Sequence, residues 1–219
     1  MRLAWMIALA LGACCTAVGG DERPAGRDRG QGLRRCSDIT GFLFDRSAAG
    51  RAVHQRPDRG SRVLGRIAPP LRVGPREVAA GFEILASRGG WLLVEGAADD
   101  PVLTERPPRP IYGGRGWIRA EGVRVGLQAS QAFARPSHAS ALVLSSPDGL
   151  GGLLEIAACD GRWVLGRWRL APPARLRYER SALIAGDPAT VEAWATGLCN
   201  LQETSCDGVS GDRPPPRDR

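Results

Sequence analysis

Apolar residues along this chain come in short runs broken by Gly, Pro, Asp and Arg, and no segment sustains a helical period. That pattern predicts strands joined by turns. In the first half, strands are predicted at 39–44, 52–55, 63–67, 82–86, 91–95 and 115–119. Residues 123–127 lead directly into a second half, with strands at 131–134, 142–144, 153–158, 163–170, 176–179 and 191–195. Within the first half, between the strands at 91–95 and 115–119, residues 96–114 hold four Pro and several charges and read as an inserted surface loop, longer than hairpins require. Side chains alternate along a strand, so Trp163 and Trp168 are expected on opposite faces, one of them exposed.

Three landmarks occur twice, in the same order. Arg56-Pro57, Ser61 and Val63-Leu64 are answered by Arg135-Pro136, Ser140 and Leu142-Val143. A Gly-rich turn runs into Trp at Gly89-Gly90-Trp91-Leu92-Leu93-Val94 and again at Gly161-Arg162-Trp163-Val164-Leu165. A small residue precedes another Trp in Gly116-Trp117-Ile118 and in Ala193-Trp194-Ala195. The offsets are 79, 72 and 77 residues, which two tandem copies of one small fold explain better than one large core.

The order of these landmarks resembles the bacterial SH3 domain family, small β-barrels found mainly in exported proteins. Val53 to Ile67 matches its opening segment closely, while the second copy keeps Ala134-Arg135-Pro136-Ser137 and lacks the Gly that follows the apolar doublet. The resemblance covers roughly residues 38–198. It implies an all-β chain: two tandem small SH3-like β-barrels at 37–126 and 127–206, a flexible linker at 18–36 and a disordered tail at 207–219. Peptide or peptidoglycan is the ligand of many members, which makes peptidoglycan or an envelope protein the expected partner. Grooves edged by aromatics make Trp91 and Phe82 candidates in the first copy and Phe133, Trp163 and Trp168 in the second, with Arg56 and Arg135 able to meet carboxylates. For each aromatic the competing role is core packing, since Trp and Phe supply much of the buried area of a barrel this small.

Composition adds a basic surface. All 30 positive side chains are Arg, against 23 Asp plus Glu, for a net charge of +7. The abundance of Arg, Ala, Gly and Pro beside a single Asn matches a GC-biased genome, but the charge still favours anionic partners.

Residues 1–17 read as a signal peptide, with Arg2 before an apolar stretch from Leu3 to Leu11 that is too short to span a membrane. Leu11-Gly12-Ala13-Cys14 resembles a bacterial lipobox, which implies lipidation of Cys14 and a membrane anchor, and the alternative is ordinary cleavage near Ala17. Either way the expectation is the periplasm of a Gram-negative envelope. Cys36, Cys159, Cys199 and Cys206 then remain as an even set with three possible connectivities. The segment Gly197-Leu198-Cys199 to Cys206 resembles the Cys-containing end of exported SH3-like proteins. That resemblance implies a Cys199–Cys206 bridge and leaves Cys36 with Cys159.

Candidate chemistry is sparse. His54 and His138 are the two His residues, each within an Arg-Pro segment, and the chain carries no Gly-x-Ser-x-Gly elbow, phosphate loop or His-Glu-x-x-His motif. No cofactor, metal or nucleic acid is expected, and the reading is of a non-catalytic binding protein.

Overall fold

The computed structural model describes residues 32–170, 177–179, 183–185, 187–199 and 210–214. The expected signal peptide, Cys14 and Cys206 lie outside the described residues.

In chain order the elements are β1 (Arg34–Arg35), β2 (Thr40–Leu43), β3 (Arg51–His54), β4 (Val63–Ile67), β5 (Leu71–Val73), β6 (Arg76–Val78), β7 (Gly81–Arg88) and β8 (Trp91–Ala98). A four-residue helix, α1 (Pro101–Thr104), follows, and then β9 (Gly116–Arg119), β10 (Val123–Arg124) and β11 (Gly126–Leu127). The second half contributes β12 (Gln131–Phe133), β13 (Leu142–Ser145), β14 (Leu153–Asp160), β15 (Trp163–Arg169), β16 (Arg177–Tyr178), β17 (Leu183–Ile184), β18 (Asp187–Ala195) and β19 (Leu198–Cys199).

The protein is all-β, and all the strand pairs are antiparallel. One sheet runs β10-β2-β7-β8-β9-β3-β4 with β1 added beside β7, and another runs β14-β15-β18-β12-β13-β16 with β17 beside β18. Neither path closes on itself among the described residues, so the sheets are open and no closed barrel is formed. Bulges bend the long hairpin strands at matching places, between Ile84 and Ala86 in β7 and between Ile156 and Ala158 in β14.

The sequence repeat is a repeat of register. In the first hairpin Arg88, Ser87, Ala86 and Ile84 face Trp91, Leu92, Leu93 and Val94. In the second, Asp160, Cys159, Ala158 and Ile156 face Trp163, Val164, Leu165 and Gly166. The closing strands agree as well, with Leu93 opposite Trp117 and Leu165 opposite Trp194. Ser87 and Cys159 therefore hold matching positions, and they touch: the Ser87 hydroxyl donates to the Cys159 carbonyl at 2.9 Å and accepts from the Cys159 N–H at 3.1 Å.

The hairpins also share a core. Ile156, Cys159, Val164 and Leu198 pack into the same cluster as Ile39, Leu43, Val53, Ile84, Leu92 and Ile118 of the first half. A second cluster gathers Leu144, Trp168 and Val191. Across the junction runs the Cys36–Cys159 disulfide, with Cα atoms 5.7 Å apart. Cys199 is disulfide-bonded too. Arg34 and Arg35 fall within the stretch expected to be a flexible linker, yet they form β1, because β7 presents an open edge beyond β2 and Cys36 is fastened next to it.

The 96–114 stretch is tied down. Its Asp99 is buried against Arg109, at 2.7 Å, and Arg109 Nη1 donates to the Pro69 carbonyl at 2.6 Å. The Arg109 hydrogen bonds hold the Asp99 carboxyl below the usual carboxylate range, against the opposing effect of burial. Tyr112, further along, lies flat on Gly65 of β4, where an added Cβ would come within 2.5 Å of its ring. The landmark Gly of the first copy is thus the floor of a Tyr site. In the second copy the matching position is Leu144, which is buried and paired with Tyr178 of β16.

Candidate functional site

Each Arg-Pro landmark is a tight turn. In the first, the Asp58 N–H donates to the Arg56 carbonyl at 2.7 Å and the Ser61 N–H to the Asp58 carbonyl at 3.1 Å. The second repeats this, from Ser137 to Arg135 at 2.7 Å and from Ser140 to Ser137 at 3.0 Å. Buried Ser61 completes the first turn, accepting from the Arg56 N–H at 3.2 Å and donating to the carbonyls around it. Both turns leave their Arg, Arg56 and Arg135, exposed.

The turns stand beside the hairpin Trp residues. His54 ends β3, opposite Trp117, and its ring meets Trp91 edge-on at 5.3 Å. On Trp91 also rests the Arg119 guanidinium, 5.3 Å from the ring centroid. Phe133 ends β12, opposite Trp194, and meets Trp163 edge-on at 5.8 Å. His138, from the second turn, adds contacts of 4.9 Å to Trp163 and 5.4 Å to Phe133. The Arg213 guanidinium lies 5.3 Å from the Phe133 ring centroid. So each repeat carries one hairpin Trp, one ring from the end of an earlier strand, and a guanidinium on one of them, the Trp in the first repeat and the Phe in the second.

No known protein family, curated protein or solved structure matches this chain.

The structure brings Phe133 and Trp163 together and keeps Trp168 apart. Trp168 is fully buried in the second core, on the strand face opposite half-buried Trp163, as alternation requires. Its indole N–H finds no acceptor among the described residues. Trp91, Phe133 and Phe82 are also buried, so among the candidate ligand residues the ones that meet solvent are Trp163, Arg56 and Arg135.

Between the repeats lies a cleft of about 120 Å³ lined by Gly89, Gly90, Arg119, Glu121, Glu155 and Arg167 among others. Its charges neutralise one another. Arg167 pairs with Glu155 at 2.5 Å and Glu192 at 3.1 Å, and Arg119 pairs with Glu121. Burial pulls the Arg167 guanidinium down, but the two carboxylates outweigh it and hold it above its ordinary value.

Both His rings are used for packing and hydrogen bonding. His54 Nδ1 lies 3.2 Å from the Ser61 carbonyl and His138 Nε2 lies 3.1 Å from the Gly211 carbonyl, each contact requiring the ring nitrogen to donate. Among the described residues, no group of three or more His, Cys, Asp or Glu is placed to hold a metal ion.

Sequence reasoning missed the two guanidinium caps. Arg119 was findable, because the strand pairing that sets Leu93 opposite Trp117 also sets Trp91 opposite Arg119. Arg213 gave no such signal, since it lies in a Pro- and Arg-rich tail with no strand pattern.

Proposed function

We propose that this chain is a non-catalytic binding protein of the bacterial envelope, in which two SH3-like units present aromatic and Arg surfaces to peptidoglycan or to an envelope protein. The observation that carries the reading is the repetition, at matching register positions in both halves, of a hairpin Trp and a second ring beside an exposed Arg-Pro turn, with a guanidinium on one of the two rings in each half. A half-buried Trp next to exposed Arg suits a ligand with an apolar face and carboxylates, and both occur in wall peptides. The Cys36–Cys159 bridge is compatible with an oxidising compartment, in keeping with export.

A second reading has its own support. Residues 211–213 of the chain already lie on the second aromatic face, which favours a protein segment as ligand there. Co-sedimentation of the purified protein with protein-free peptidoglycan sacculi separates the two. Retention at low and at physiological salt that drops at least five-fold in a Trp163→Ala, Arg135→Ala variant supports wall binding. Retention lost with salt reduces the interaction to diffuse Arg attraction, and no retention at either salt favours the protein partner.

A further inference from the structure

Gly211, Asp212 and Arg213 are each held on the second repeat by specific contacts. The Gly211 N–H donates to the Gln128 carbonyl at 2.9 Å, and its carbonyl accepts from His138 Nε2 at 3.1 Å. The Asp212 carboxylate accepts from the Ser130 N–H and from the Ser130 hydroxyl, both at 2.7 Å. The Arg213 N–H donates to Gln131 Oε1 at 3.1 Å, and its guanidinium donates to the Ser140 carbonyl at 2.8 Å while lying over Phe133.

The fit is steric as well as polar. A Cβ on Gly211 would collide with the Thr196 carbonyl, and one on Gly197 would collide with the Gly211 backbone, so these two glycines lie back to back. Gly211 is buried there. The first repeat needs no such visitor. Its cap, Arg119, stands two residues after Trp117, and the matching place two residues after Trp194 is Thr196, which has no charge to offer. The second repeat receives its guanidinium from the tail instead, over Phe133 rather than over the hairpin Trp.

We infer that this face is a recognition site for a Gly-Asp-Arg peptide bent at its Asp, and that residues 211–213 are its resident ligand, tethered in cis. An incoming segment needs a residue without a side chain, then a carboxylate, then a guanidinium. It must also displace a tail present at an effective concentration on the order of millimolar. The inference rests on reading the second face as a recognition surface, but not on peptidoglycan being what that face meets.

The test uses the full chain. Gly211→Val expels the tail through the collision described while leaving its charged residues in place. A synthetic Ser-Gly-Asp-Arg-Pro peptide is titrated into wild type and variant, with the Trp163 indole N–H resonance as readout. If the tail fills the site about nine-tenths of the time, the variant binds the peptide at least about ten-fold more tightly than wild type. A peptide with Asn in place of Asp loses at least ten-fold. A natively melting variant that binds no peptide, or that binds it no better than wild type, overturns the inference. Should Gly211→Val not fold, the Asp212→Ala, Arg213→Ala double variant removes the side-chain contacts without the collision and carries the same expectations. Failure of peptide binding with sacculus binding intact refutes the resident ligand alone, and the converse refutes wall binding alone.

Discussion

Removing the Cys36–Cys159 bridge tests how the two halves are held together. The bond joins positions 123 residues apart. In the chain-entropy treatment, closing a loop of that length removes enough freedom from the unfolded chain to stabilise the folded state by about 5 kcal/mol at 25 °C. The folded state itself should change little. The Cys36 N–H donates to the Leu85 carbonyl at 3.0 Å, the Ser37 N–H to the Gly161 carbonyl at 2.9 Å and the Gly161 N–H to the Arg35 carbonyl at 2.8 Å. Arg34 also pairs with Asp160 at 2.5 Å. These contacts keep the strap seated without the sulfur bridge, so the effect acts through the unfolded ensemble. Cys36→Ser with Cys159→Ala leaves no hydroxyl in the buried position, since Cys159 has no exposed surface. Urea unfolding of the variant should give a loss of about 5 kcal/mol and a larger m-value, because the unreduced chain's compact unfolded state is released. A loss below about 1 kcal/mol with an unchanged m-value would refute the loop-closure argument.

Two further outcomes follow from single groups. Trp168→Phe removes an indole N–H that has no acceptor among the described residues, a relief of about 1–3 kcal/mol that offsets the lost ring volume. The net change should stay within about 1 kcal/mol, whereas Trp168→Ala should cost about 3–5 kcal/mol, and equal urea midpoints for the two variants would sink that account. Asp99→Asn should destabilise the protein by about 1–3 kcal/mol, because buried Asp99 carries the charge that pairs with Arg109. Since the folded Asp99 carboxyl is lowered, its contribution is complete above the unfolded value of about 4 and is lost as pH falls through the folded one. The gap between wild type and Asp99→Asn should therefore hold from neutral pH down to about pH 4 and narrow as the pH falls further, and a gap independent of pH would contradict it.

Much of the architecture was legible because it is local. Strand positions such as Val63–Ile67 follow from apolar runs between turn residues, and β4 occupies the predicted span. The repeat was legible because each landmark has a local cause: the Arg-Pro turn closes on its own backbone, and Gly89-Gly90 and Gly161 turn the hairpins. Alternation along β15 sufficed to part Trp163 from Trp168, although which of them met solvent depended on what packed against each face.

Tertiary structure decided what depends on partners distant in sequence. The β5–β6 hairpin and two-residue strands such as β1, β17 and β19 were missed because pieces so short have no periodicity to read. The strap Arg34–Arg35 becomes a strand through pairing with β7, about 50 residues away along the chain. The tail was expected to be disordered from its composition, yet residues 210–214 have defined places on the second repeat. A bare Gly211 Cα fits beneath Thr196, and Ser130 has two donors for Asp212. Composition measures how much apolar surface a segment can bury by itself, and that tail buries little. Its order comes from hydrogen-bonding groups and a space that another part of the chain supplies.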